Sequence, residues 1–83
     1  MARVELARRA RLELLDLDWP LLNAVEDALG LLERDPRSGH ELRGRLRGLR
    51  SLRVGAYRII YGFDDETVQV QHVDHRADGY RPR

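Results

Sequence analysis

The sequence predicts an α+β fold, an N-terminal helical hairpin packed on a small antiparallel β-sheet. Three observations carry this expectation. Up to about residue 34, apolar residues recur at steps of three and four. From about residue 49, β-branched and aromatic residues dominate. Between the two regimes, Asp35-Pro36-Arg37-Ser38-Gly39 supplies the residue types that stop helices.

Taken in order, Arg3-Val4-Glu5 reads as a short strand. A first helix is expected over roughly Leu6 to Leu15, with Leu12 and Leu15 on its apolar side. A second is expected from Trp19 to about Arg34, with Asp18 as N-cap and Pro20 in the first turn, where a missing N–H costs nothing. Its stripe is Trp19, Leu22, Val25, Leu29 and Leu32. Three strands follow, Leu49–Val54, Tyr57–Phe63 and Thr67–Val73. Gly55-Ala56 and Asp64-Asp65-Glu66 are short enough to be hairpin turns. The 83 residues are expected to form one domain with a thin core.

Composition excludes several classes. Without cysteine there is neither a disulfide framework nor a thiolate metal site. No apolar run approaches the roughly 18 residues of a membrane span, and the N-terminus has no signal-peptide core. The chain is therefore expected in the cytoplasm, with no membrane partner. The net charge of +1 hides an asymmetry. Residues 1–40 hold six Arg against eight acids, whereas residues 41–83 hold nine Arg against six. All fifteen cations are Arg, whose planar, permanently charged fork suits phosphate and stacks on rings.

The common catalytic signatures are missing: no Gly-rich phosphate loop, no Cys nucleophile, no Ser with a convincing His/Asp context. His72 and His75 stand three apart, which on a strand directs them to opposite faces. No metal site and no other cofactor are expected. What remains is a basic and aromatic set: Arg43, Arg45, Arg47, Arg50, Arg53, Arg58, Arg76 and Arg81, with Tyr57, Tyr61 and Tyr80. Arg beside stacking rings is the chemistry that binds single-stranded nucleic acid. A solvated sheet face, its Arg stems covering apolar surface, has the same composition.

The order of these residues resembles the RelE/ParE toxin superfamily. The matching stretches are Leu42-Arg43-Gly44, then Leu49-Arg50-Ser51-Leu52-Arg53-Val54-Gly55-Ala56-Tyr57-Arg58-Ile59-Ile60-Tyr61, then Val73-Asp74-His75-Arg76-Ala77-Asp78-Gly79-Tyr80-Arg81. They correspond to the family's L-x-G, its R-L-R-x-G-x-Y-R-x-x-Y strand pair and its final H-R-x-x-x-Y, in order along the chain. The resemblance implies a RelE-like fold and the toxin of a type II toxin–antitoxin system. It further implies a cognate antitoxin partner, with which a hetero-oligomer forms.

Within that family, RelE-like members cut mRNA in the ribosomal A site and so inhibit translation, whereas ParE-like members inhibit DNA gyrase. The first activity, a metal-independent endoribonuclease or mRNA interferase, is the leading expectation; gyrase inhibition or a non-toxic binding module are the alternatives. The resemblance assigns catalysis to Arg58, Arg76 and Tyr80, with Tyr80 stacking on a substrate base. Arg43, Arg45, Arg47, Arg50, Arg53 and Arg81 would then bind mRNA or ribosomal RNA. His75 is the candidate acid or base, because imidazole titrates near neutral pH. Tyr57 and Tyr61, on the face away from Arg58, are expected in the core. One departure stands out: Ser51 occupies a position that is basic in the family, and the chain has no Lys at all.

Overall fold

The computed structural model describes residues 2–75, so Arg76, Tyr80 and Arg81 lie outside the described residues. Strand β1 (Arg3–Leu6) leads into helix α1 (Arg8–Leu15) and helix α2 (Trp19–Arg34). A 3₁₀ turn, Pro36–Ser38, precedes β2 (His40–Glu41), and a second one, Gly44–Leu46, precedes β3 (Arg50–Val54). Strands β4 (Tyr57–Phe63) and β5 (Thr67–His75) complete the order. Two helices thus pack on a five-stranded sheet, ordered β1-β5-β4-β3-β2. Among the described residues no helix is long and apolar enough to cross a membrane.

The expected three-stranded meander is the centre of this sheet, and both of its turns fall where they were predicted. Two edges were added to it. The N-terminal strand is real, but it pairs parallel to β5, Val4 beside Val68, which makes the sheet mixed rather than purely antiparallel. The two-residue β2 pairs antiparallel with β3. The sequence offers the first of these as a strand but not its parallel pairing, and periodicity does not register the second, which is two residues long.

Helix α2 has the predicted bounds, with Pro20 in its first turn. Its C-cap residue Asp35 precedes Pro36 and leaves the helical region (φ -147°, ψ 84°), as steric clash with the following proline ring demands. The Asp18 backbone takes the N-cap conformation, yet its side chain makes no capping hydrogen bond. The apolar stripe needs a correction. Leu15 and Trp19 are 77% and 70% exposed, and Leu12 is also exposed. Helix α1 instead buries Ala10 and Leu14, one turn apart, because it lies close against β5, where a small residue lets the backbones approach.

The core joins Ala10, Leu14, Val25 and Leu32 from the helices to Ile59, Tyr61, Val68, Val70 and Val73 from β4 and β5. Tyr61 is fully buried, as expected, and keeps its hydroxyl satisfied. It donates to Pro36 O at 2.6 Å and accepts from Gly39 N at 3.0 Å, tying the join between helices and sheet to the centre of the molecule. Gly39 is required there: a Cβ would come within 2.6 Å of the Ser51 carbonyl oxygen and 2.8 Å of the Tyr61 hydroxyl.

Candidate functional site

Strand alternation assigns side chains to two faces, and a bulge in β5 shapes the site. Ile60 pairs with His72, but Tyr61 pairs with Val70, so Gln71 is an extra residue. Val70 and Val73 therefore both face the helices despite their odd spacing. Beyond the bulge, His72 and Asp74 share the opposite face with Ile60 and Arg58. Strand β3 adds Ser51, opposite Ile60, and Arg53, opposite Arg58. One sheet face thus holds the apolar core packed on the helices, and the other carries Arg53, Arg58, His72 and Asp74 together.

Arg58 is the centre of that second face. Its side chain is only 3% exposed, and its Nε donates to Asp74 Oδ1 at 3.2 Å, directly across the ladder. A buried guanidinium must be paired, and Asp74 fixes the plane of the fork while offsetting its charge. That pairing also permits a second cation, the exposed Arg53, to stand directly opposite Arg58 in the ladder.

A cleft of about 650 Å³ opens beside Arg58, bounded by Ile60, His72 and Asp74 on the sheet, Leu46 from the second 3₁₀ turn, and Arg9 and Glu13 from α1. Strand β1 ends its pairing at Val70, which leaves the backbone edge of β5 open beyond that point. Glu13 caps this edge. Its Oε1 accepts from Val73 N at 2.8 Å, while its Oε2 meets Arg9 Nε at 3.3 Å and lies 4.0 Å from His72 Nδ1. The carboxylate therefore pins helix to strand and presents negative charge to an imidazole in the same cleft. Tyr57 and His75, paired across the ladder, are also among the cleft's lining residues.

Residue by residue, the sequence-predicted set divides. Arg58 is in the cleft and Arg53 is exposed on the same face. Arg43, Arg45 and Arg47 are exposed on the loop around the second 3₁₀ turn. Arg50 stands apart. Its guanidinium donates to Gly39 O at 2.7 Å and to Arg37 O at 3.3 Å, and sits 5.9 Å above the Phe63 ring. It holds the join against the sheet, on the face away from Arg58. His75 faces away from Arg58 too, with its ring edge-on to Tyr57 at 5.2 Å.

Sequence reasoning allowed an Arg58–Asp74 pair, which the structure contains, but missed Glu13 and His72 as parts of the same site. The single local signal is the Arg9–Glu13 spacing of one helical turn. Nothing in the sequence announces the bulge that turns His72 toward Arg58's face.

Comparison with known proteins places the chain. Residues 4–80 match the family described as the ParE toxin of the type II toxin–antitoxin system parDE. Toxin RelG of Mycobacterium tuberculosis is 48% identical over 82 residues, spanning 94% of each chain. The fold is similar to that in the crystal structure of the toxin–antitoxin complex RelBE2 from Mycobacterium tuberculosis, with a TM-score of 0.80 and 43% identity over 90% of this chain and 98% of that one. It is also similar to that in the intact E. coli RelBE complex, with a TM-score of 0.77 and 25% identity over 90% and 96% of the two chains.

Proposed function

The chain belongs to the RelE/ParE family of type II toxin–antitoxin toxins, and from that premise we propose that it is a ribosome-dependent mRNA endonuclease held inactive by a cognate antitoxin. The observation that carries the proposal is the polar sheet face, where a buried, oriented guanidinium stands in an open cleft beside an Arg-rich loop. Relatives of this fold, RelBE2 and RelBE, are toxin–antitoxin complexes, which supports an antitoxin partner here. An exposed cationic loop also favours a partner of opposite charge.

The proposed chemistry follows from what RNA offers. The substrate's own 2′-OH attacks the adjacent phosphorus, so the protein must align the groups, stabilise the phosphorane charge and move protons. Arg58 and Arg76 place guanidinium groups on the phosphate. Tyr80 stacks on a substrate base and holds it splayed from its neighbours. Arg43, Arg45, Arg47 and Arg53 bind flanking phosphate or ribosomal RNA, with Arg81 beyond them in sequence. Arg50, engaged with the Gly39 and Arg37 carbonyls, serves the scaffold instead.

A second reading has one observation behind it. Ser51, where the family has a basic residue, is 3% exposed on Arg58's face, so this position adds no charge to the cleft. Inhibition of DNA gyrase on the same fold needs no such charge. The two readings separate cleanly. Induction of the toxin alone, with mRNA ends mapped on translating ribosomes, should yield cut mRNA and no DNA-damage response. Growth arrest with intact mRNA and double-strand DNA breaks would transfer the assignment to gyrase.

A further inference from the structure

We infer that His72 is the group that takes the proton in RNA cleavage, with Glu13 as its positioning residue; the inference rests on the nuclease reading above. A chain without Lys has few side chains to exchange a proton near neutral pH, and Arg is unsuited because its pKa lies above about 12. The sequence offered His75 as the candidate acid or base. The bulge at Gln71 reassigns the role: it turns His72, not His75, onto the face that carries Arg58. His72 pairs with Ile60 and Arg58 pairs with Asp74, so His72 and Arg58 are diagonal neighbours, roughly 7 Å apart along such ladders. His40 reaches the same face only on β2, two strands away from β4.

The ring's surroundings orient it. His72 is 31% exposed, yet its Nδ1 is buried without a hydrogen bond and lies 4.0 Å from Glu13 Oε2, so its open side is the rest of the ring, in the cleft. The charged groups lining the cleft around it are Glu13, Arg9 and Asp16 from α1 and the turn after it, Arg58 on β4 and Asp74 on its own strand. Among these, the Glu13 carboxylate is already fixed by Val73 N and Arg9, so it is a rigid partner for Nδ1.

In the cleavage step, neutral His72 accepts the proton of the RNA 2′-OH as the 2′-oxygen bonds to phosphorus. The P–O5′ bond then breaks with its electron pair on the 5′-oxygen. The imidazolium or a water returns one proton to that oxygen, leaving a 2′,3′-cyclic phosphate and a 5′-OH. Charge and protons balance without a further reactant.

The test is single-turnover cleavage of mRNA on programmed ribosomes across pH. Wild-type protein should show a rate that climbs with pH on the acid side and then levels. His72→Gln should lose about 10²-fold or more in rate and most of that climb. Glu13→Gln, which keeps an acceptor for Val73 N, should slow the reaction but retain the climb, because the His72 ring is still present. Thermal unfolding of each variant confirms the fold. A flat wild-type profile overturns the assignment irrespective of any variant. So does a His72→Gln profile that matches wild type, or a loss of the climb in His75→Gln instead. Absence of any cleavage by wild-type protein would remove the nuclease reading itself, a different failure.

Discussion

The two faces of the central strands obey opposite rules. Toward the helices, Ile59, Tyr61, Val70 and Val73 form a dry surface whose one polar atom, the Tyr61 hydroxyl, is satisfied twice. On the other side, one residue along each strand, stand Arg58, His72, Asp74 and Ser51. Both faces contain hidden residues, since Ile60 and Arg58 are as buried as their core neighbours although a cleft opens beside them. Burial alone therefore does not separate scaffold from site; chemistry does. On one face the strands stabilise by removing apolar surface from water, and on the other they hold charges in fixed positions.

The largest expected effect breaks the covered face. Ile59→Ala should lower unfolding stability by about 2–4 kcal/mol in urea titration, through lost burial and a residual cavity. In a chain of this size that is a sizeable share of the total, so toxicity should fall with it. Arg58→Lys tests the other face. It retains one positive charge near Asp74 but loses the planar fork, so cleavage should drop on the order of 10²–10³-fold. Its stability loss should stay below that of Ile59→Ala. Comparable losses of stability in both variants would mean that the polar face is scaffold as well.

Tyr61→Phe sharpens the boundary. It leaves Gly39 N–H and the Pro36 carbonyl without their buried partner, which costs about 1–3 kcal/mol and leaves the cleft residues untouched. The smallest effect belongs to neither face. In the β4–β5 turn, the Asp64 carboxylate accepts from the backbone N–H groups of Glu66 and Thr67, which hold it below the ordinary carboxylate range. Its contribution is complete above the ordinary carboxylate range and is lost as pH falls through the lowered value. Asp64→Asn keeps the acceptor but not the charge, so acid unfolding followed by circular dichroism should become slightly less steep.

The comparison also explains what the sequence made legible. Period-two alternation from Tyr57 to Phe63 and the stop at Pro36 gave α2, the three meander strands and both turns. The family pattern around Arg58 pointed to the polar face, on which the structure puts that residue. Features set by tertiary contact were hidden. Ala10 rather than Leu12 is buried because α1 approaches β5 closely, a distance that no local pattern encodes. Arg50 and Arg58 look alike in sequence, eight residues apart. Even spacing would put them on one side of a single strand, but the turn at Gly55 intervenes and they end on opposite faces. The bulge at Gln71 likewise separates His72 from its expected place, and Glu13 lies 59 residues before it in the chain.

The most direct measurement mixes purified protein with ribosomes carrying end-labelled mRNA, in the presence of a metal chelator, and identifies the new RNA ends. The account predicts cleavage that leaves a 2′,3′-cyclic phosphate, strong in wild-type protein and suppressed in both Arg58→Lys and Arg76→Ala. Intact mRNA after incubation with folded, antitoxin-binding protein would contradict it, as would undiminished cleavage by both variants.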